Sequence, residues 1–441
     1  MQFFNRLFNR STDIPKMDVR FGRFTDAYKT EKQYDAWDQS IQLFEKGDFL
    51  KAYEVFFDYL CDEQEANVKV EKTKEGLLFE FYQGSRIIRG KAMAQKVRAT
   101  SKVVKASKFA PLLMKRLLVH NFDLQYSRFC LDDEDNIAII FDTSFMDGSP
   151  YMLYYALKEL ATQADKQDDL LLDEFSGLEE VENSPMTHLS LEEKEVKYKY
   201  IQKALASVIE EVEKGKLDKE AYAGGVAYLL LDLVYKLDFL VRPEGFMMEA
   251  LERIHRLYFA KNDMPKFEKN QQLMEEFKAL KARRKEEYFK EMYTVISTFG
   301  ITTAVNYSRV VHFIEGELSN MDWYQKNGYD KVACAIPGYI VGYCLFNYAV
   351  PKPCKDFFQL YYQIAESNYF TALGYPRLYH PKQNKFNKKL IKNNIEDLAD
   401  RYSPWFENLK PNLRLLNFES KTAFSYSYLQ MMKELDMTKA G

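Results

Sequence analysis

The chain has 441 residues, more than one ordinary core accommodates, so two or three domains are expected. Hydrophobic residues make up 46% and charged residues 29%, the balance of a soluble globular protein. A formal net charge of −3 gives no general attraction to nucleic acid.

The five cysteines, Cys61, Cys130, Cys334, Cys344 and Cys354, are odd in number and show no C-x-x-C spacing. They fit free thiols in a reducing, cytoplasmic compartment rather than a disulfide framework.

At the start of the chain, Phe3, Phe4, Leu7 and Phe8 recur at helical spacing with Arg6 and Arg10 opposite. There is no long apolar core of the kind a secretory signal carries. A short amphipathic segment of this kind suits docking in a groove or on a membrane surface.

Residues 30–61 read as helix. Trp37, Ile41 and Phe44 form an apolar stripe that breaks at Gly47-Asp48 and resumes with Phe49, Ala52, Tyr53, Phe56 and Leu60. This is a helical hairpin, and no copies follow at a 34-residue period.

Strand signals come next. Val68 and Val70 alternate with charges, and Leu77, Phe79 and Phe81 alternate after the turn at Lys74-Glu75-Gly76. Residues 85–104 make one bent strand or two short ones, with Gly90 as the break. That stretch carries Arg86, Arg89, Lys91, Lys96 and Arg98, too many charges to bury, so one sheet face is expected to be basic. These five are the candidate binding residues.

Residues 107–120 are expected to be helical, with Pro111 in the first turn and Leu113, Leu117 and Leu118 inside. Strands over 124–131 and 136–142 flank the turn Asp132-Asp133-Glu134-Asp135. Ser149 and Pro150 mark the start of a helix that runs to about Ala164.

Charge divides sharply across this region. Between Lys69 and Arg128 there are 14 Lys/Arg against 4 Asp/Glu, and between Asp132 and Glu182 there are 15 Asp/Glu against 2 Lys. A surface that neutralises itself is the simpler account of the basic half, because no aromatics interleave its lysines and arginines for base stacking.

After the acidic, turn-rich stretch ending at Pro185, only helix signals are convincing. Ser190-x-x-Glu193 has the form of a capping box. One long helix is expected over 265–298. Residues 332–350 carry no charge, and a buried core helix starting near Pro337 is expected there, with Gly338-x-x-x-Gly342 suited to close packing.

The familiar chemical motifs are missing. There is no phosphate loop, no H-E-x-x-H zinc helix and no G-x-S-x-G elbow. The five histidines are scattered, and no compact Cys/His cluster suggests a metal. Glu252-x-x-His255 is half of a di-metal pattern whose second half is missing. No cofactor, metal or catalytic residue is assigned. Were the chain an enzyme, Glu252, His255 and His312 would be its candidates.

The order of elements over 33–164 resembles that of the type III secretion chaperone-like superfamily, including its YbjN-type members, putative bacterial sensory transduction regulators. The corresponding segments are 33–61, 68–104, 107–120, 124–142 and 151–164. The resemblance is topological, covers under a third of the chain and carries no signature motif. It implies a protein-binding module, often dimeric, without a catalytic centre.

The expected fold is therefore α+β: a helix–antiparallel sheet–helix domain followed by an all-α domain. The expected boundaries are an N-terminal amphipathic segment (1–29), the chaperone-like domain (30–176), a linker (177–189) and the helical domain (190–441). The expected function is non-enzymatic binding of a protein or peptide. The alternatives are an enzyme of unrecognised class in the helical domain and a membrane-surface scaffold.

Overall fold

A computed structural model describes residues 17–63, 65–107, 110–182 and 184–438. Phe3, Phe4, Leu7 and Phe8 lie outside the described residues. The class is α+β, with an antiparallel sheet in the first half and mostly helices after it. Two compact units share the chain. The described residues of Phe24–His188 and Tyr293–Ile301 form a sheet unit; those of Met1–Arg23, Leu189–Met292 and Thr302–Gly441 form a helical unit.

In the sheet unit, helices α1 (Glu31–Glu45) and α2 (Phe49–Leu60) form the hairpin expected around Gly47. Thr30 begins α1 with a complete capping box involving Gln33, which satisfies two otherwise orphaned N–H groups. Strands β1 (Val68–Lys72), β2 (Gly76–Gln83), β3 (Arg86–Met93) and β4 (Lys96–Ala106) precede helix α3 (Pro111–Asp123). Strands β5 (Arg128–Leu131) and β6 (Asn136–Ser144) and the long helix α4 (Pro150–Glu174) follow. The sheet order is β1-β2-β3-β4-β6-β5, and every neighbouring pair is antiparallel.

The period-2 pattern decides which face is buried. Phe79, Phe81, Ile88, Ala92, Val97, Ala99, Ile137, Ile139 and Phe141 point into one core with Phe56, Phe57 and Leu60 of α2 and Leu153, Leu157 and Leu160 of α4. A bulge between Lys102 and Val104 lets Val103 and Val104 both be buried.

Three expectations need correction here. The break in 85–104 falls at Ala94-Gln95, both at positive φ, and not at Gly90. Gly90 lies inside β3, where a Cβ would come 2.1 Å from the Phe79 ring. Helix α4 continues ten residues past Ala164, because Ala164, Gln167, Asp168 and Leu171 all face inward. Finally, the expected linker contains strand β7 (Leu178–Glu180), which pairs with β4, and β8 (Thr187–His188), which pairs with β9 (Tyr293–Thr294).

The sheet unit also includes a segment the sequence reading placed in a long helix. Residues 295–301 lie against β2. The Gln83 amide oxygen accepts from the Thr298 and Phe299 N–H groups, its nitrogen donates to the Phe299 carbonyl, and the Phe299 ring packs on Phe81.

The helical unit contains α5 (Leu191–Lys214), α6 (Ala223–Val241), α7 (Gly245–Phe259), α8 (Lys266–Ala282), α9 (Lys285–Lys290), α10 (Tyr307–Leu318), α11 (Met321–Lys326) and α12 (Asp330–Asn347). Its remaining helices are α13 (Lys352–Ala365), α14 (Ser367–Ala372), α15 (Lys388–Tyr402) and α16 (Lys421–Lys433). Helices α6 and α12 are buried over most of their surface and form the centre. Pro337 lies inside α12, which starts at Asp330, so it does not mark the helix start. Gly338 and Gly342 allow the close approach: Cβ atoms there would come 2.1 Å from Asp232 Oδ1 and 2.4 Å from Tyr235 Cβ. Among the described residues, no helix is long and apolar enough to cross a membrane.

Candidate functional site

Alternation along β3 and β4 separates the five candidate basic residues. Arg86 has the same parity as Ile88 and Ala92 and is buried, so it does not belong to a basic surface. Its guanidinium pairs with Asp168 and donates to the Val103 carbonyl and Ser85 Oγ. Arg89, Lys91, Lys96 and Arg98 are exposed on the other face.

That outer face carries carboxylates among its cations. Arg89 bonds Glu80 and, with two parallel N–H donors, Glu182. Lys102 pairs with Glu134, and Arg98 lies across from Asp142, which Arg128 engages. Glu182, Glu134 and Asp142 all come from the acidic half of the region. The charge split thus becomes cross-strand and loop-to-sheet neutralisation.

The candidates for catalysis are engaged separately. Glu252 accepts from Arg23, which also grips Asp238, while its second oxygen pairs with Arg256. The His255 ring meets the Tyr235 hydroxyl through Nδ1 at 2.9 Å and packs against Phe259 and Phe346. Burial and the nearby Arg23 charge push its pKa down to about 4. The exposed His312 turns Nδ1 toward the Ser308 carbonyl of its own helix. Among the described residues, no group of three or more His, Cys, Asp or Glu is arranged to hold a metal.

The most distinctive surface of the sheet unit is on α3. This helix buries Leu113 and Leu117, one turn apart, in the core. Leu112, Leu118, Val119 and Phe122 remain exposed, Phe122 to 92%. The expected inward placement of Leu118 is therefore wrong; it is 67% exposed. The sequence did contain the signal. Seven large apolar residues in the eleven positions 112–122 exceed what one stripe facing a core can take up, so some had to face outward.

Helix α3 is held firmly. Asn121 donates to the Phe129 carbonyl and accepts from its N–H, fastening the helix to β5. The loop after α3 is fixed by Glu159, whose carboxylate accepts from the N–H groups of Gln125, Tyr126 and Ser127. Strand β5 ends the sheet order, and its Leu131 is exposed. Burial and the neighbouring Arg116 hold the His120 pKa below its usual value. The result is a rigid apolar face beside a short sheet edge.

No protein-family model matches the chain. No curated protein matches it either.

Proposed function

We propose that this is a non-enzymatic protein-binding protein that engages a protein or peptide partner through the outer face of α3. The observation that carries the reading is the exposure of Leu112, Leu118, Val119 and Phe122 on a helix whose other face is locked into the core. Contiguous exposed apolar groups on a rigid element favour association, because covering them removes apolar area without the entropy cost of ordering the element first. Leu118 and Phe122, one turn apart, suit a partner that offers an apolar groove to a helix. The resemblance of the element order over 33–164 to chaperone-like domains, read from the sequence, points the same way. Five free cysteines suit a cytoplasmic setting.

The test compares the full chain with a Leu118→Ser/Phe122→Ser variant by affinity capture with quantitative mass spectrometry and by sedimentation velocity. The variant should lose one specific partner, or self-association, with its melting temperature unchanged. Identical captured proteins and identical sedimentation in the two would refute the proposal.

A further inference from the structure

The helical unit contains a cavity of about 560 Å³, within the range of small-molecule sites. Lys199, Lys203, Lys236 and Lys421 line it, with Asp232 and Glu366. Lys199 and Lys203 stand one turn apart on α5, and Lys421 is the first residue of α16. Such a collection of lysines around one cavity calls for an account of their counter-charges.

One of the four is already matched. Lys236 Nζ lies 2.7 Å from Asp232 and 3.2 Å from Glu366, forming a carboxylate–ammonium–carboxylate chain. Burial pushes the Asp232 carboxyl up to about 6, while burial of Glu366 is outweighed by Lys236 and Lys421, which hold it below its ordinary value. Lys199, Lys203 and Lys421 make no hydrogen bond or ion pair with a carboxylate among the described residues. Lys199 and Lys203 are exposed and Lys421 is half-buried, and four lysines against two carboxylates leave the lining with a surplus of positive charge. An anion held among them would be attracted by that surplus.

The rest of the lining indicates the kind of anion. The cations of the lining are lysines, compact point charges of the kind that hold phosphates. Val196, Val208 and Leu233 supply apolar surface. Tyr200 packs against Tyr369 with ring centroids 4.4 Å apart and the rings tilted by 37°, and its hydroxyl has no hydrogen-bond partner among the described residues. The cavity thus combines lysine ammonium groups with apolar and aromatic surface.

We infer that this cavity binds a small organic phosphate, its phosphate held by Lys199, Lys203 and Lys421 and its body set against Tyr200 and the apolar wall. The site lies within the helical unit and is independent of the α3 face. Occupancy would neutralise the three lysines and stabilise the helical unit in proportion to ligand concentration.

Calorimetric titration of the full chain with pyrophosphate and with adenosine diphosphate, at fixed ionic strength, tests this inference. At least one probe should bind saturably at one site. The affinity should fall at least tenfold in Lys203→Gln/Lys421→Gln and measurably in Lys199→Gln. Those side chains make no ion pair among the described residues, and Lys203 and Lys421 act on Glu366 only through their charge, so the ligand-free melting temperature should change little. Three outcomes would overturn the inference: no saturable binding of either probe at millimolar concentration, equal affinity in the double variant, or equal binding of succinate, which would assign the site to carboxylates.

Discussion

Arg86 Nε and Asp168 Oδ2 lie 2.7 Å apart, with side chains only 2% and 1% exposed, and tie strand β3 to helix α4 inside the sheet unit. Ser85 Oγ donates to the same carboxylate. Removing one partner leaves a buried charge uncompensated. Asp168→Ala should therefore destabilise the sheet unit by about 3–5 kcal/mol. The double replacement Arg86→Met/Asp168→Leu should cost much less than the single one. Urea unfolding of the three proteins checks this, and equal stability of Asp168→Ala and the parent would contradict the role given to the pair.

Gln83 makes a comparable tie by hydrogen bonding alone. Its side-chain amide serves the N–H groups of Thr298 and Phe299 and the Phe299 carbonyl, in surroundings shut off from water. Deleting it orphans several buried backbone groups. Gln83→Ala should destabilise by about 2–3 kcal/mol, and hydrogen exchange at 295–301 should accelerate more than at α1. Unchanged exchange in that segment would mean the amide is not what holds it.

Close packing of α6 on α12 gives a third expectation. A Cβ at Gly338 would come 2.1 Å from Asp232 Oδ1, and Asp232 is held in place by Lys236. Asp232 can retreat only by straining its 2.7 Å pair with Lys236, so either that pair loosens or helix α12 shifts. Gly338→Ala should cost about 1–3 kcal/mol despite the better helix propensity of alanine. Gly316→Ala has nothing within 4 Å of its Cβ and should be neutral or stabilising, which makes it the control for thermal unfolding.

What could be read from the sequence was local. Caps such as Ser149 and Ser190, the turn at Asp132–Asp135 and the alternation in β2 have short-range causes and appear where expected. The basic strand pair was visible too, but Arg86 was grouped with its exposed neighbours although its parity with Ile88 and Ala92 pointed inward. What remained hidden depends on distant partners. Nothing near Thr298 says that Gln83, more than two hundred residues earlier, will satisfy its backbone. Nothing in the spacing of Lys199 and Lys203 says that Lys421 will stand beside them at one cavity.

His255 gives a prediction whose sign follows from its surroundings. Burial and the charge of Arg23 lower its folded pKa from 6.5 to about 4, while the unfolded chain keeps the ordinary value. Above pH 6.5 the ring is neutral in both states and contributes nothing to pH dependence. Between 6.5 and about 4 the unfolded state takes up the proton that the folded state refuses, so stability falls as pH falls. The ring is partly open to solvent, so the loss is on the order of 1 kcal/mol rather than the full value of the shift. Asp232, raised to about 6, works in the opposite direction, because the folded state takes up its proton first. Comparing His255→Gln with the parent at pH 7, 5.5 and 4.5 by urea unfolding cancels that contribution. The variant should lose less stability on acidification, and the two curves should converge or cross toward low pH. Parallel curves would show that His255 titrates alike in both states and that the environment formed by Tyr235, Phe346 and Arg23 does not act on it.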